Sequence, residues 1–207
     1  MATISVTENK TLMAQARESL RGKWGLAIGV IVVFTLIIGA IEFIPIAGMI
    51  ITLIIGGPFT VGLAIFALAL SRNQDPKFSQ LFAGFNKFGV ALGAYLLQGL
   101  FVLLWSLLLI IPGIIAALSY SQTYFIIAEN DSIGPLEAIT KSKMMMKGNR
   151  WKFFCLGLRF LGWLLLSILT LGIGLLWLIP YIWISYAKFY DDIPRVETEA
   201  GIAKTAE

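Results

Sequence analysis

The sequence predicts an all-α membrane protein: six transmembrane helices arranged as three hairpins, each preceded by a cytoplasmic amphipathic helix. Three observations carry this expectation. The 207 residues are 58% hydrophobic and only 14% charged, with mean hydropathy +0.84, against about 25% charged residues in soluble domains. Six apolar segments each approach the length, about 20 residues, that crosses a bilayer as a helix. All sixteen Lys and Arg lie outside those segments or near their ends, and the three opposite turns contain none.

Taken in order, the polar start comes first. Ser5-Val6-Thr7-Glu8 has capping-box spacing, so a helix is allowed from Ser5, with Asn9 the alternative start. Leu12, Ala16, Leu20 and Trp24 recur at i+4, with Met13 beside them, while Lys10, Arg17, Arg21 and Lys23 sit off the stripe. This reads as an interfacial helix with its stripe toward lipid. Span 1 covers about Trp24 to Ile44 and stops at Pro45. It is too long for a cleaved signal's apolar core and reads as a signal anchor. Span 2 runs from about Ala47 to Leu70, with Pro58 expected to kink it.

Asp75-Pro76 then supplies a cap and N1 proline for a second short helix, carrying Phe78, Leu81, Phe82, Phe85 and Phe88 at helical spacing. Spans 3 (about Phe88 to Ile111) and 4 (Gly113 to Ala128) are joined only at Pro112-Gly113. A third basic amphipathic helix follows from Pro135 to Lys147, with Leu136, Ile139, Ser142 and Met146 along one face. Lys141, Lys143 and Lys147 favour its C-terminal half, where the helix dipole prefers cations. Spans 5 (Phe153 to Thr170) and 6 (Leu175 to Tyr190, interrupted by Pro180) turn at Gly172-Ile173-Gly174.

The three units repeat. Gly29, Gly93 and Gly157 are 64 residues apart (29 to 93, 93 to 157), and Gly25 and Gly89 share that offset. The chain reads as one membrane domain, 1–190, with units at about 9–70, 75–128 and 135–190, and a flexible cytoplasmic tail at 191–207. The cation distribution places both termini and both long connections in the cytoplasm.

Further residues carry the resemblance to a family. Ala117-Leu118-Ser119-Tyr120-Ser121 with Tyr124-Phe125-Ile126, Leu136-Glu137-Ala138-Ile139 and Met146-Lys147-Gly148-Asn149 form one set. Leu169-Thr170-Leu171-Gly172-Ile173-Gly174-Leu175-Leu176-Trp177, Pro180-Tyr181 and Phe189-Tyr190 form another. In these the chain resembles the bacterial integral membrane proteins called domain of unknown function 975, over nearly its whole length. The resemblance implies the membrane fold and a bacterial cytoplasmic (inner) membrane. It implies no activity, substrate or site.

Candidate sites are few. Glu42, near the end of span 1, is a carboxylate for a cation or proton, or simply reaches headgroups. Arg159 lies about 10 Å into span 5 at helical rise, within snorkelling reach of phosphates. Ser119, Gln122 and their polar neighbours in span 4, with Gln98 on span 3, either line a polar cavity or join helices. Gly25, Gly29, Gly89, Gly93 and Gly157 suit close helix packing, with spans 1 and 3 expected to meet through the first four. Arg21, Lys23, Lys87, Lys147, Arg150 and Lys152 sit where anionic headgroups are expected.

No histidine is present and Cys155 is the one cysteine, so no nucleophile–base set, metal site or cofactor is expected. The expected function is that of a non-enzymatic multi-pass scaffold or a partner- or lipid-binding protein. Its expected partners are lipids of the anionic inner leaflet, a protein partner or second copy remaining open, and not nucleic acid. The alternative is a small-molecule transporter or accessory permease subunit with a polar site between spans 3, 4 and 5.

Overall fold

A computed structural model describes residues 4–194. Among them are ten α-helices, a 3-10 turn and no strand. The helices are α1 (Asn9–Leu20), α2 (Trp24–Glu42), α3 (Ala47–Ser71), α4 (Gln80–Ala83) running into the 3-10 turn Gly84–Lys87, α5 (Phe88–Leu108), α6 (Ile110–Tyr120), α7 (Thr123–Glu129), α8 (Pro135–Met145), α9 (Arg150–Leu169) and α10 (Leu175–Asp192). Five stretches are long and apolar enough to cross a membrane: α2, α3, α4 through α5, α6 with α7, and α9. The eighteen residues of α10 include Lys188, Asp191 and Asp192, and it is not among the five.

Several element boundaries differ from expectation. Of the two starts allowed for the first helix, Asn9 is the one used, and Ser5 lies outside it. Asp75-Pro76 does not open a helix: Lys77 N–H bonds the Gln80 side-chain oxygen at 3.1 Å, and α4 begins only at Gln80. Span 4 is two helices, broken at Ser121-Gln122. Asp191 and Asp192, expected in the tail, end α10, while residues 195–207 of that tail lie outside the described residues.

The bundle is centred on α3, which packs against α2, α5, α7 and α10. Its second half is buried from Gly57 through Leu70 apart from Thr60 and Ile65, because small residues let neighbouring backbones come in close. A Cβ at Gly57 would strike the Ala91 carbonyl of α5, and one at Gly62 the Leu81 carbonyl of α4. One at Gly84 would strike the Pro58 carbonyl. Phe59 fills the remaining space, edge-on to Phe34, Phe82 and Phe85 with ring centres 5.8, 5.8 and 5.0 Å away.

The glycines singled out by the repeat do something else. A Cβ at Gly25, Gly29 or Gly89 would meet nothing within 4 Å, and α2 and α5 do not form a packed interface. Gly93 faces Pro135 of α8, and a Cβ at Gly157 would lie 3.8 Å from the Tyr186 hydroxyl. The G-x-x-x-G of α2 therefore marks an open face, that of α5 meets a neighbour only through Gly93, and α3 packs on both of the helices the spacing was expected to join.

The short helices reveal a cyclic order. Each packs on a long-helix pair other than the one it introduces: α4 on α3, α8 on α5, α6 and α7, and α1 on α10. The first short helix thereby closes the ring onto the last pair. The α1 stripe is buried in this contact, with Leu12, Ala16 and Leu20 at 1% exposure or less, so it faces protein rather than lipid.

Candidate functional site: the polar knot at the helix-pair exits

The second member of each long pair ends in a charged residue: α3 at Arg72 just past its end, α7 at Glu129 and α10 at Asp191 followed by Asp192. The cyclic packing brings the three together. Arg72 Nη2 lies 2.5 Å from Glu129 Oε1, and Arg72 donates to Asp191 through Nη2 and Nε at 2.5 and 3.1 Å. This is the fork geometry that a guanidinium offers a carboxylate. The Tyr190 hydroxyl donates to the other oxygen of Glu129 at 2.6 Å. The Asp191 hydrogen bonds, opposed by burial and reinforced by Glu129, hold the Arg72 guanidinium above its ordinary pKa. It stays charged at any working pH.

Cations also sit on the carbonyls left without intrahelical partners at helix ends, where the dipole is negative. Lys188 Nζ donates to Ser71 O, which also accepts from Ser19 Oγ at 3.2 Å. Lys87, expected among headgroups, instead donates to Ile127 O, Ala128 O and Asn130 O at 2.7, 3.2 and 3.0 Å and pairs with Asp131 at 2.8 Å. Hydrogen bonding by Lys87, then its charge, lowers the pKa of the exposed Asp131 carboxyl.

A second knot ties the N-terminal segment down. Asp192 accepts from Ser5 Oγ, Thr7 Oγ1 and the Thr7 amide, and lies 3.5 Å from Lys152 Nζ. The Ser5 amide donates to Asn149 Oδ1 at 2.8 Å, and Asn9 Nδ2 to Lys152 O at 2.9 Å. Burial alone would raise the Asp192 carboxyl, but the Ser5 and Thr7 hydrogen bonds and the Lys152 charge outweigh it and hold it lower. Lys152, too, was expected at headgroups and is drawn into the protein. Arg21, Lys23 and Lys147 remain partly or fully exposed, and Arg150 is partly buried with its Nε unpaired.

The break at Ser121-Gln122 is closed by α8. Ser142 Oγ donates to Ser119 O at 2.9 Å and accepts from the Gln122 amide at 3.1 Å, so one buried hydroxyl bridges the interrupted backbone ladder. Ser119 Oγ returns to Ile115 O at 2.5 Å and Gln122 Nε2 donates to Ser121 Oγ at 3.0 Å. Gln122 and Gln98 each keep a buried side-chain oxygen without a hydrogen bond. Arg159 is exposed on α9. Glu42 is exposed and lines a cavity of about 370 Å³ with Thr52 and Tyr95, where the Thr52 hydroxyl is buried and unpartnered. Neither Gln98 nor Gln122 lines that cavity.

The sequence reading missed the Arg72, Glu129 and Asp191 cluster because its members are 57 and 62 residues apart (72 to 129, 129 to 191). A signal was present: each unit closes on a charge, and the charges differ in sign.

Fold and site together define an all-helical protein, built from several helices long and apolar enough to span a membrane, with its charged groups bound to one another where the helix pairs end. The chain belongs to the family described as protein of unknown function (DUF975), whose model matches residues 1–113 and 107–197. No curated protein and no solved structure matches it.

Proposed function

We propose that this is a non-enzymatic scaffold of a bacterial cytoplasmic membrane, crossing it six times as three parallel hairpins and binding lipid or a protein partner. Both termini and the two longer connections lie in the cytoplasm, where anionic lipid favours the cations. The sixth span is α10, whose terminal carboxylates Asp191 and Asp192 are paired with Arg72 and Lys152. The observation that carries the reading is the ion cluster of Arg72, Glu129 and Asp191. Its groups hold three helix-pair exits in fixed relation, which is what a scaffold needs and what a catalytic acid or base, which must exchange protons with a substrate, does not.

Topology is tested with Cys155→Ser chains carrying one new cysteine at Pro45, Pro112, Gly172 or Lys143. An impermeant maleimide added outside intact cells should label the first three and spare the last; labelling of Lys143→Cys from outside would overturn the threading. Scaffolding is tested by crosslinking in native membranes and mild-detergent purification. A protein or lipid retained at fixed stoichiometry supports it, and recovery of the bare chain alone counts against it.

The break at Gln122 favours the second reading, transport, since interrupted spans with free oxygens form substrate sites in transporters. Solute flux into proteoliposomes that Gln122→Ala abolishes while the melting temperature holds would favour transport over scaffolding.

A further inference from the structure

A groove of about 350 Å³ opens on the side of the bundle between α1, the start of α2, α9 and α10. Its walls are Trp24, Trp163, Leu166, Trp177 and Leu178, with Arg17 of α1 on its lining as well. Two hydroxyls also line it, but both turn to their own backbone. Ser167 Oγ donates to Trp163 O at 2.8 Å, and Thr170 Oγ1 donates to Ser167 O at 2.8 Å while accepting from the Gly174 amide at 3.0 Å. Among the described residues the groove therefore presents an apolar slot and a single cation.

That cation is held in place. The Arg17 guanidinium sits over the Tyr181 ring, 5.7 Å from its centre, and the Tyr181 hydroxyl donates to Met13 O at 3.2 Å, fixing α1 to α10. Among the described residues, no acidic side chain lines the groove. The slot holds the volume of about a dozen waters, too little for a helix of about 10 Å diameter but suited to a flexible hydrocarbon chain.

We infer that this groove is a binding site for an anionic phospholipid, one acyl chain lying against Trp163 and Trp177 and the phosphate on Arg17. This rests on the lipid-binding part of the proposed function and names its ligand class. On the proposed threading the headgroup belongs to the inner leaflet.

The test uses the full chain in nanodiscs of phosphatidylcholine containing brominated phosphatidylglycerol or brominated phosphatidylcholine at equal fraction, read by tryptophan quenching. The anionic lipid should quench at roughly five-fold lower fraction, the effect of about one basic residue at an anionic surface. Arg17→Gln should abolish the preference, Arg17→Lys should keep most of it, and Lys10→Gln, on the same helix and outside the groove, should leave it intact. Trp163→Phe and Trp177→Phe should each remove part of the quenching. Equal quenching by the two lipids, or a preference that survives Arg17→Gln, would overturn the site. Crosslinking to a protein partner would be unaffected by that failure, so the scaffold reading stands or falls separately.

Discussion

Arg72 and Glu129 are 57 residues apart in sequence (72 to 129) and 2.5 Å apart in space. Their contact exists only because α3 and α7 pack side by side and each stops at the same level. Asp191 joins from α10 on the same Nη2 and on Nε. One cation thus records the relative position of three helix-pair exits.

Removing that cation should loosen all three. Arg72→Gln leaves Glu129 and Asp191 facing each other while Tyr190 still donates to Glu129, and should cost about 2 kcal/mol, since the cluster is partly exposed to solvent. Arg72→Lys should recover only part, because an ammonium cannot offer two carboxylates the same planar fork. Thermal unfolding in detergent, followed by helical circular dichroism, measures both; a midpoint unchanged in Arg72→Gln would dismiss the cluster as a structural tie.

Two classes of glycine should separate cleanly. Gly62→Ala drives a methyl into the Leu81 carbonyl, an overpacking that costs about 1–3 kcal/mol or more. Gly25→Ala and Gly89→Ala add a methyl in open space, and should be neutral or stabilise by up to about 1 kcal/mol through helix propensity. The same unfolding assay decides, and a large loss at Gly25 would restore the G-x-x-x-G reading.

Ser142→Ala should be costly for so small a change. It removes the acceptor of the Gln122 amide and a donor to Ser119 O in a site with no solvent exposure. The expected loss is about 1–3 kcal/mol, with faster hydrogen exchange at Gln122 and its neighbours than elsewhere in α7. Unchanged exchange there would mean that the break holds itself.

The N-terminal segment should release in acid. The Asp192 carboxyl is held below its usual range, so its contribution is complete above the ordinary carboxylate pKa and disappears as pH falls through the lowered value. The stability gap between wild type and Asp192→Asn should therefore be full at pH 7 and narrow below about pH 4. A gap that stays constant down to pH 3 would show that the charge on Asp192 contributes nothing.

Much of the fold was legible because lipid-compatible helices must satisfy their backbones within themselves. Trp24, Ala47 and Phe88 open α2, α3 and α5 where the apolar runs begin, and Pro135 is the first residue of α8. The Ser121-Gln122 break was not legible, because its stabilising partner, Ser142, sits 23 residues from the carbonyl it bonds. The fate of Lys87 and Lys152 was hidden for the same reason. A lysine beside an apolar run looks alike whether it meets a phosphate or a helix end.

The sequence by itself determined the all-helical class, the presence of several segments long and apolar enough to cross a membrane, and the recurring plan of short helix before long pair. Those are local properties, set by residue hydropathy and by a backbone that must bond within each segment. Only the tertiary structure decided which glycines carry close contacts, that α1 docks on α10, and that Arg72, Glu129 and Asp191 share one cluster. These depend on which faces meet, and in so apolar a chain nearly every face is equally eligible until packing chooses among them.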